Sequence, residues 1–230
     1  LGADLPETAS GDNSRDIMSL ALSFELMSRF KRINAGLRVT NWMISYGALA
    51  ILLYQYTDDE NVVVGLTASG RPGDQLDNAI GRFENHLPVR NHPVGSKTVA
   101  AFLEEVRESI LEAYENQDYP SELLLENTMP ETSGESDLFN ILFQVRDRGG
   151  AMRGNQEPAT PSFVSGDNFS SQAIIVALSE DKGTVTIDLN YRTSLFGREA
   201  MERFSKDYLR ILEGIGQNVN QEIAVLAGRR

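Results

Sequence analysis

The chain of 230 residues contains no cysteine. That removes disulfide frameworks, thiol nucleophiles and zinc–thiolate sites together, and it fits a reducing compartment. Histidine is almost as scarce: His86 and His92 are the only two, six positions apart, with Pro88 and Pro93 between or beside them. Helical metal pairs need a spacing of three or four, so no metal site is expected. Apolar runs are short. The longest, around residues 48–53, is bordered by tyrosines and glutamine and falls well below the roughly 18 residues of a membrane span. Positive charge is also in deficit, with 21 Lys and Arg against 33 Asp and Glu and a net charge of −12. A nucleic-acid partner is therefore not expected. No basic-then-apolar leader is visible at the start, so a cytoplasmic location is the expectation.

What is present is an ordinary globular composition, 41% hydrophobic and 23% charged. Residues 1–16 are polar, small and acidic and read as a flexible lead-in. The remainder, 17–230, reads as one folded unit. A strand is expected over 17–22, followed by a helix over 24–33 capped by Ser23 and stopped at Gly36. Thr40 or Asn41 opens a second helix to about Tyr56, and Val62, Val63 and Val64 form a β-branched strand buried on both faces. After a Gly/Pro-rich passage, residues 83–90 read as a strand. Thr98 caps a helix whose apolar stripe is Phe102, Leu103, Val106, Ile110 and Tyr114. Pro120 ends that helix or begins a short one to Leu125.

Residues 138–145 read as a further strand, and 148–167 as a long loop of the kind that is functional or mobile. Residues 184–191 alternate strictly, with Val185, Ile187, Leu189 and Tyr191 on one face and Thr184, Thr186, Asp188 and Asn190 on the other. They pair with 173–178 as a hairpin. A last helix runs from about Arg198 to Ile215, with Met201, Phe204, Tyr208, Ile211 and Leu212 on one side. The expected fold class is α/β, a mixed β-sheet covered by α-helices.

Familiar catalytic patterns fail on inspection. The glycine-bearing segment from Gly65 to Arg71 follows a strand, but a phosphate loop would end in Lys and Ser/Thr, where Arg71 and Pro72 stand. No serine sits in a G-x-S-x-G elbow, and neither histidine has an acidic neighbour in sequence to orient it. His86 lies between Asn85 and Leu87 in a strand and could face either way. Asn168-Phe169-Ser170 matches a glycosylation sequon, but it has no secretory context.

Read together, four segments resemble one family, the condensation domains of non-ribosomal peptide synthetases. Asn61-Val62-Val63-Val64-Gly65 with Ser69-Gly70-Arg71-Pro72 is similar to the family's "vvvG…sGRp". The run Ile80-Gly81-Arg82-Phe83-Glu84-Asn85-His86-Leu87-Pro88-Val89-Arg90 is similar to "(I/V)GxFVNTLPxR". Asn116-Gln117-Asp118-Tyr119-Pro120-Ser121-Glu122 is close to "(H/N)QDYPFE", and Leu189-Asn190-Tyr191-Arg192-Thr193-Ser194-Leu195-Phe196 resembles "l.Y.t.LF". There are departures. Glu84 and His86 replace Val and Thr, Ser121 replaces Phe, Glu135 stands near the place of the usual Arg of "RNPLF", and Ala173-Ile174 stand for Asp-Leu. They leave the subtype open among condensation, epimerisation, heterocyclisation and an inactive domain.

The resemblance implies a chloramphenicol-acetyltransferase-like lobe, the C-terminal one of two, in the biosynthesis of an antibiotic or other secondary metabolite. It implies one wall of a tunnel in which a carrier-bound acyl thioester meets a carrier-bound amine. The family's His-His-x-x-x-Asp-Gly motif belongs to the other lobe and occurs nowhere here, so no catalytic residue is assigned and the chain alone is expected to be inactive. Asn85, Ser69 and Arg71 are the candidate tunnel residues. For Asn85 a structural place at the strand end is the alternative, and for Arg71 a surface ion pair. The implied partners are the N-terminal lobe and peptidyl or aminoacyl carrier proteins, which deliver phosphopantetheine arms; no cofactor is expected to bind directly. Arg198, Arg203, Lys206 and Arg210 on the last helix are the candidate carrier-docking residues. Two rival expectations remain: a non-catalytic carrier-docking module, and a small trimeric acyltransferase using His86.

Overall fold

The structure is a computed structural model, and it describes residues 14–68, 84–120, 123–124, 127, 139–147, 172–181 and 183–228. Six strands form one mixed sheet: β1 (Arg15–Ala21), β2 (Val62–Ala68), β3 (Asn85–Asn91), β4 (Ile141–Asp147), β5 (Ile174–Asp181) and β6 (Thr184–Arg192). Their spatial order is β1-β6-β5-β4-β2-β3. The central pairs β5/β4 and β4/β2 are parallel, and the outer pairs are antiparallel. The helices are α1 (Phe24–Leu37), α2 (Asn41–Thr57), α3 (Val99–Glu115), α4 (Arg198–Gln217) and the single turn α5 (Ile223–Leu226).

Local chemistry explains the helix starts. The side-chain oxygens of Ser23, Thr40 and Thr98 accept hydrogen bonds from the backbone N–H groups of Leu26, Met43 and Ala101, each satisfying one otherwise unpaired donor. The expected stop at Gly36 is overtaken. α1 continues to Leu37, and Arg38 takes the left-handed conformation at φ 55°. The strand expected from residue 17 already begins at Arg15, so residues 15 and 16 belong to β1. There Arg15 and Asp16 pair with Arg192 and Tyr191, and that pairing overrides local polarity. The strands read at 83–90 and 138–145 lie at Asn85–Asn91 and Ile141–Asp147. The loop of 148–167, the sequon and most of the segment after Pro120 lie outside the described residues.

One helical layer covers one face of the sheet. α2 is buried without interruption from Met43 to Tyr54, so it lies at the centre of that layer instead of presenting an amphipathic edge. Amphipathic α1, α3 and α4 surround it and place Phe30, Phe102, Ile110, Phe204, Tyr208 and Ile215 against it or against the sheet. From below, alternate strand residues reach the same core, among them Val64, Leu66, Phe143, Val176, Ile187 and Leu189. A fully buried polar knot ties α2 to the sheet. Tyr46 donates its hydroxyl to the Val64 carbonyl at 3.1 Å and accepts from the Asn91 amide at 3.1 Å.

Candidate functional site

The second face of the sheet meets no described helix, and its residues follow from the pairing register. Position by position it presents Arg15, Ile17 and Ser19 from β1, and Arg192, Asn190, Asp188 and Thr186 from β6. Ile175, Ala177 and Ser179 follow from β5, and Leu142, Gln144 and Arg146 from β4. Val63, Gly65 and Thr67 of β2 follow, with Arg90, Pro88 and His86 of β3 at the edge. Apolar residues sit in the middle. Phe139, Leu142 and Ile175 form a small buried cluster with Val63, separate from the main core. Gly65 makes room for it, because a Cβ there would lie 2.2 Å from the Phe139 ring.

Polar groups ring that centre. Ser19 donates its hydroxyl to Asp188 at 2.6 Å, and Asp188 is buried. Arg15 donates its Nε to the Asn190 side-chain oxygen, and its two terminal nitrogens to the backbone carbonyls of Gln172 (2.9 Å) and Asn190 (3.2 Å). Burial first, and the neighbouring Arg192 charge second, hold the Arg15 guanidinium below its ordinary value, down to about 10. At the opposite edge His86 stands across from Thr67, edge-on to Phe139 at 6.5 Å between ring centres. So His86, which the sequence left free to face either way, belongs to this face. Among the described residues the sheet therefore carries helices on one side and a mixed polar and apolar surface on the other.

A family profile described as "Condensation domain" matches residues 1–227. This chain belongs to the condensation-domain family. Bacitracin synthase 3 of Bacillus licheniformis is 31% identical over 221 residues, covering 96% of this chain and 4% of that protein. Tyrocidine synthase 3 of Brevibacillus parabrevis is 30% identical over 225 residues, covering 97% and 4%. The chain thus spans a small fraction of these synthases. Among solved structures, a holo four-domain nonribosomal peptide synthetase bound to AMP and glycine superposes with a TM-score of 0.84 at 20% identity, over 97% of this chain and 18% of the other. The condensation domain of the monacolin K polyketide synthase superposes at 0.77 and 19% identity, over 97% and 53%. The X-domain from teicoplanin biosynthesis gives 0.80 and 23%, over 97% and 52%. The fold is accordingly the chloramphenicol-acetyltransferase-like one.

The residues singled out in sequence separate in space. Ser69 and Arg71 lie outside the described residues. Asn85 uses its amide locally, donating to the backbone carbonyls of Gln117 at 2.7 Å and Tyr119 at 3.1 Å, so β3 and the segment after α3 are tied together. Those bonds hold the Asn85 amide at the strand end. On α4, Arg198 bridges Asp16 (3.7 Å) and Glu202 (3.3 Å). Arg210 is drawn to Asp207 (3.5 Å), the Leu226 carbonyl (2.6 Å) and Gln55 (2.7 Å). Arg203 and Lys206 are exposed on the outer side of α4 and form no ion pair among the described residues. Sequence reasoning gave no role to Arg15, Gln172 or Arg192. The alternation of 184–191 stopped one residue short of Arg192, and Arg15 fell in the supposed lead-in. No group of three metal-ligating side chains occurs among the described residues, and none of their helices is long and apolar enough to cross a membrane.

Proposed function

We propose that this chain is the C-terminal lobe of a peptide-synthetase condensation domain, and that the helix-free face of its sheet is one wall of the tunnel in which a carrier-bound acyl thioester is joined to a carrier-bound amine. The observation that carries this reading is the match in extent: nearly all of this chain aligns with about half of two solved domains of this fold. The absent His-His-x-x-x-Asp-Gly motif supports it, since neither histidine here is adjacent to another.

Amide formation at a thioester needs the two arms brought together, water kept away and the amine proton managed. The lobe offers a buried apolar patch around Phe139 for the first two tasks and polar groups around it for orientation. Proton management falls to the other lobe. Asn85, Ser69 and Arg71 are proposed to border the tunnel. Arg203 and Lys206, with Arg198 and Arg210 beside them, are proposed to meet the acidic surface of a carrier that delivers its phosphopantetheine arm.

The test is a condensation assay with carrier-bound acyl and aminoacyl substrates. The chain alone is expected to form no dipeptidyl product, whereas the same chain joined to a lobe bearing the histidine motif forms it. Turnover by the chain alone that His86→Ala abolishes, together with a trimeric solution mass, would overturn the reading in favour of a self-sufficient acyltransferase. Saturable carrier binding with no turnover even in the two-lobe polypeptide would leave a docking module.

A further inference from the structure

We propose that the outer edge of β1 pairs with β1 of a second copy of this chain, antiparallel about Met18, so that two six-stranded sheets join into one. This interface rests on the geometry of one strand and not on the condensation reading.

β1 is an end strand of the sheet and pairs with β6 only. The Leu22 N–H donates to the Val185 carbonyl at 2.9 Å, and the Thr193 N–H donates to the Ser14 carbonyl at 3.0 Å. Even-numbered residues of β1 therefore turn their backbone groups toward β6, and Arg15, Ile17, Ser19 and Ala21 turn theirs outward. The Ile17 N–H is met by Oδ1 of its neighbour Asp16 at 2.8 Å, a local bond it would exchange for a strand partner. The N–H groups of Ser19 and Ala21, and the carbonyls of Ile17, Ser19 and Ala21, have no backbone partner among the described residues. The far edge of the sheet is different. On β3 Pro88 has no N–H to offer, and the His86 N–H is taken by the Asn85 side-chain oxygen at 2.9 Å. Proline, lysine and capped donors guard a free edge, and β1 contains neither proline nor lysine.

A row of outward donors and acceptors along a seven-residue strand is complementary to one kind of ligand, another extended backbone. Charge and shape select a second β1. With the two-fold at Met18, Arg15 lies opposite Ala21 of the other copy, Asp16 opposite Leu20 and Ile17 opposite Ser19. No like charges meet in that register. An in-register parallel pair, or a two-fold at Asp16, would set the two Asp16 carboxylates side by side. The same register makes the two Ile17 side chains diagonal neighbours on one face, about 7–8 Å apart and within reach of each other. Ile17 is 43% exposed in the single chain, so the contact withdraws a bare apolar side chain from water. Because both copies use the same patch, the assembly closes at two.

Sedimentation velocity over a range of protein concentrations, at low and at high sodium chloride, reads the assembly, and hydrogen exchange reads its place. The chain is expected to pass from its own mass to twice that mass as concentration rises. Each copy carries a net charge of −12, so high salt is expected to strengthen the dimer by screening their repulsion. The Ser19 and Ala21 amides are expected to exchange more slowly in the dimer than in the monomer. Ile17→Lys charges a side chain that is already exposed, and Ala21→Pro removes an outward donor without touching a bond to β6. Each should weaken dimerisation by about tenfold or more. Should Ala21→Pro not fold, Ile17→Lys decides alone. A chain that stays monomeric at every concentration overturns the proposal. So does a dimer that Ile17→Lys leaves intact, or one whose Ser19 and Ala21 amides exchange as in the monomer. A dimer that salt dissolves would be a charge contact between other faces, and slow exchange of these amides in a monomer would put a segment of the same chain on the edge; either result overturns it too. No carrier or turnover enters these readings, so their outcome is independent of the condensation assay.

Discussion

Replacing Gly65 with alanine tests the packing that shapes the second face of the sheet. A Cβ at this position would meet Cε2, Cδ2 and Cζ of Phe139 at 2.2, 2.4 and 2.6 Å, distances no real contact adopts. Neither side yields easily. Gly65 is paired to Pro88 and to Leu142 in the middle of β2, and Phe139 rests on buried Leu142 and Ile175. Overpacking of this kind costs about 1–3 kcal/mol. Without the ring the same substitution would be mildly favourable, by about 0.4–1 kcal/mol, through the unfolded chain. Phe139→Ala alone removes a side chain that is 9% exposed but touches a small cluster, so its cost belongs at the low end for phenylalanine, about 3 kcal/mol. In the double variant the new methyl occupies vacated space, and the total should stay close to that of Phe139→Ala. Urea unfolding of the four proteins supplies the cycle, with an expected coupling of about 1–3 kcal/mol. Destabilisation of the double variant by the sum of the two single costs would refute the contact.

Other consequences are equally direct. Tyr46→Phe leaves the Asn91 amide and the Val64 carbonyl each short of a buried partner and should cost about 1–3 kcal/mol, read as a lowered urea midpoint with an unchanged m-value. Burial pushes the Tyr46 and Tyr208 phenols well above their ordinary 10.0. Above pH 10 the unfolded chain therefore releases protons that the folded one retains. Stability present below pH 10 falls as pH rises, with a slope that loses one proton in each Tyr→Phe variant; absorbance at tyrosinate wavelengths coincident with unfolding checks this. Asn85→Ala should speed hydrogen exchange at residues 116–119, where its two amide bonds end. A loss of condensation with unaltered exchange would instead assign Asn85 to the tunnel. Arg203→Glu with Lys206→Glu should raise the KM for carrier-bound substrate several-fold in the two-lobe polypeptide and leave kcat unchanged; an unaltered KM places the carrier elsewhere.

Much of this protein was legible in the chain itself, wherever a signal is local. Ser23, Thr40 and Thr98 mark helix starts because a side-chain oxygen three residues before an amide can cap it regardless of the remaining fold. The alternation of 184–191 and the turn at Gly183, with φ 82°, define a hairpin within a few residues of sequence. The four family segments identify the domain because they are short and ordered. Tertiary structure decided what depends on distant neighbours. Arg15 is a strand residue only because β6 is there to pair with it, and Arg38, not Gly36, ends α1. His86 faces Thr67 and Phe139 because β3 pairs with β2 in one register, and a shift by one residue would turn it to the helices. Arg15 and Arg192 lie 177 positions apart in number and opposite one another in space, and no local pattern could bring them together. Sequence determines propensity and period over a few residues, whereas the polarity of a face is the sum of strands whose adjacency only the folded sheet establishes.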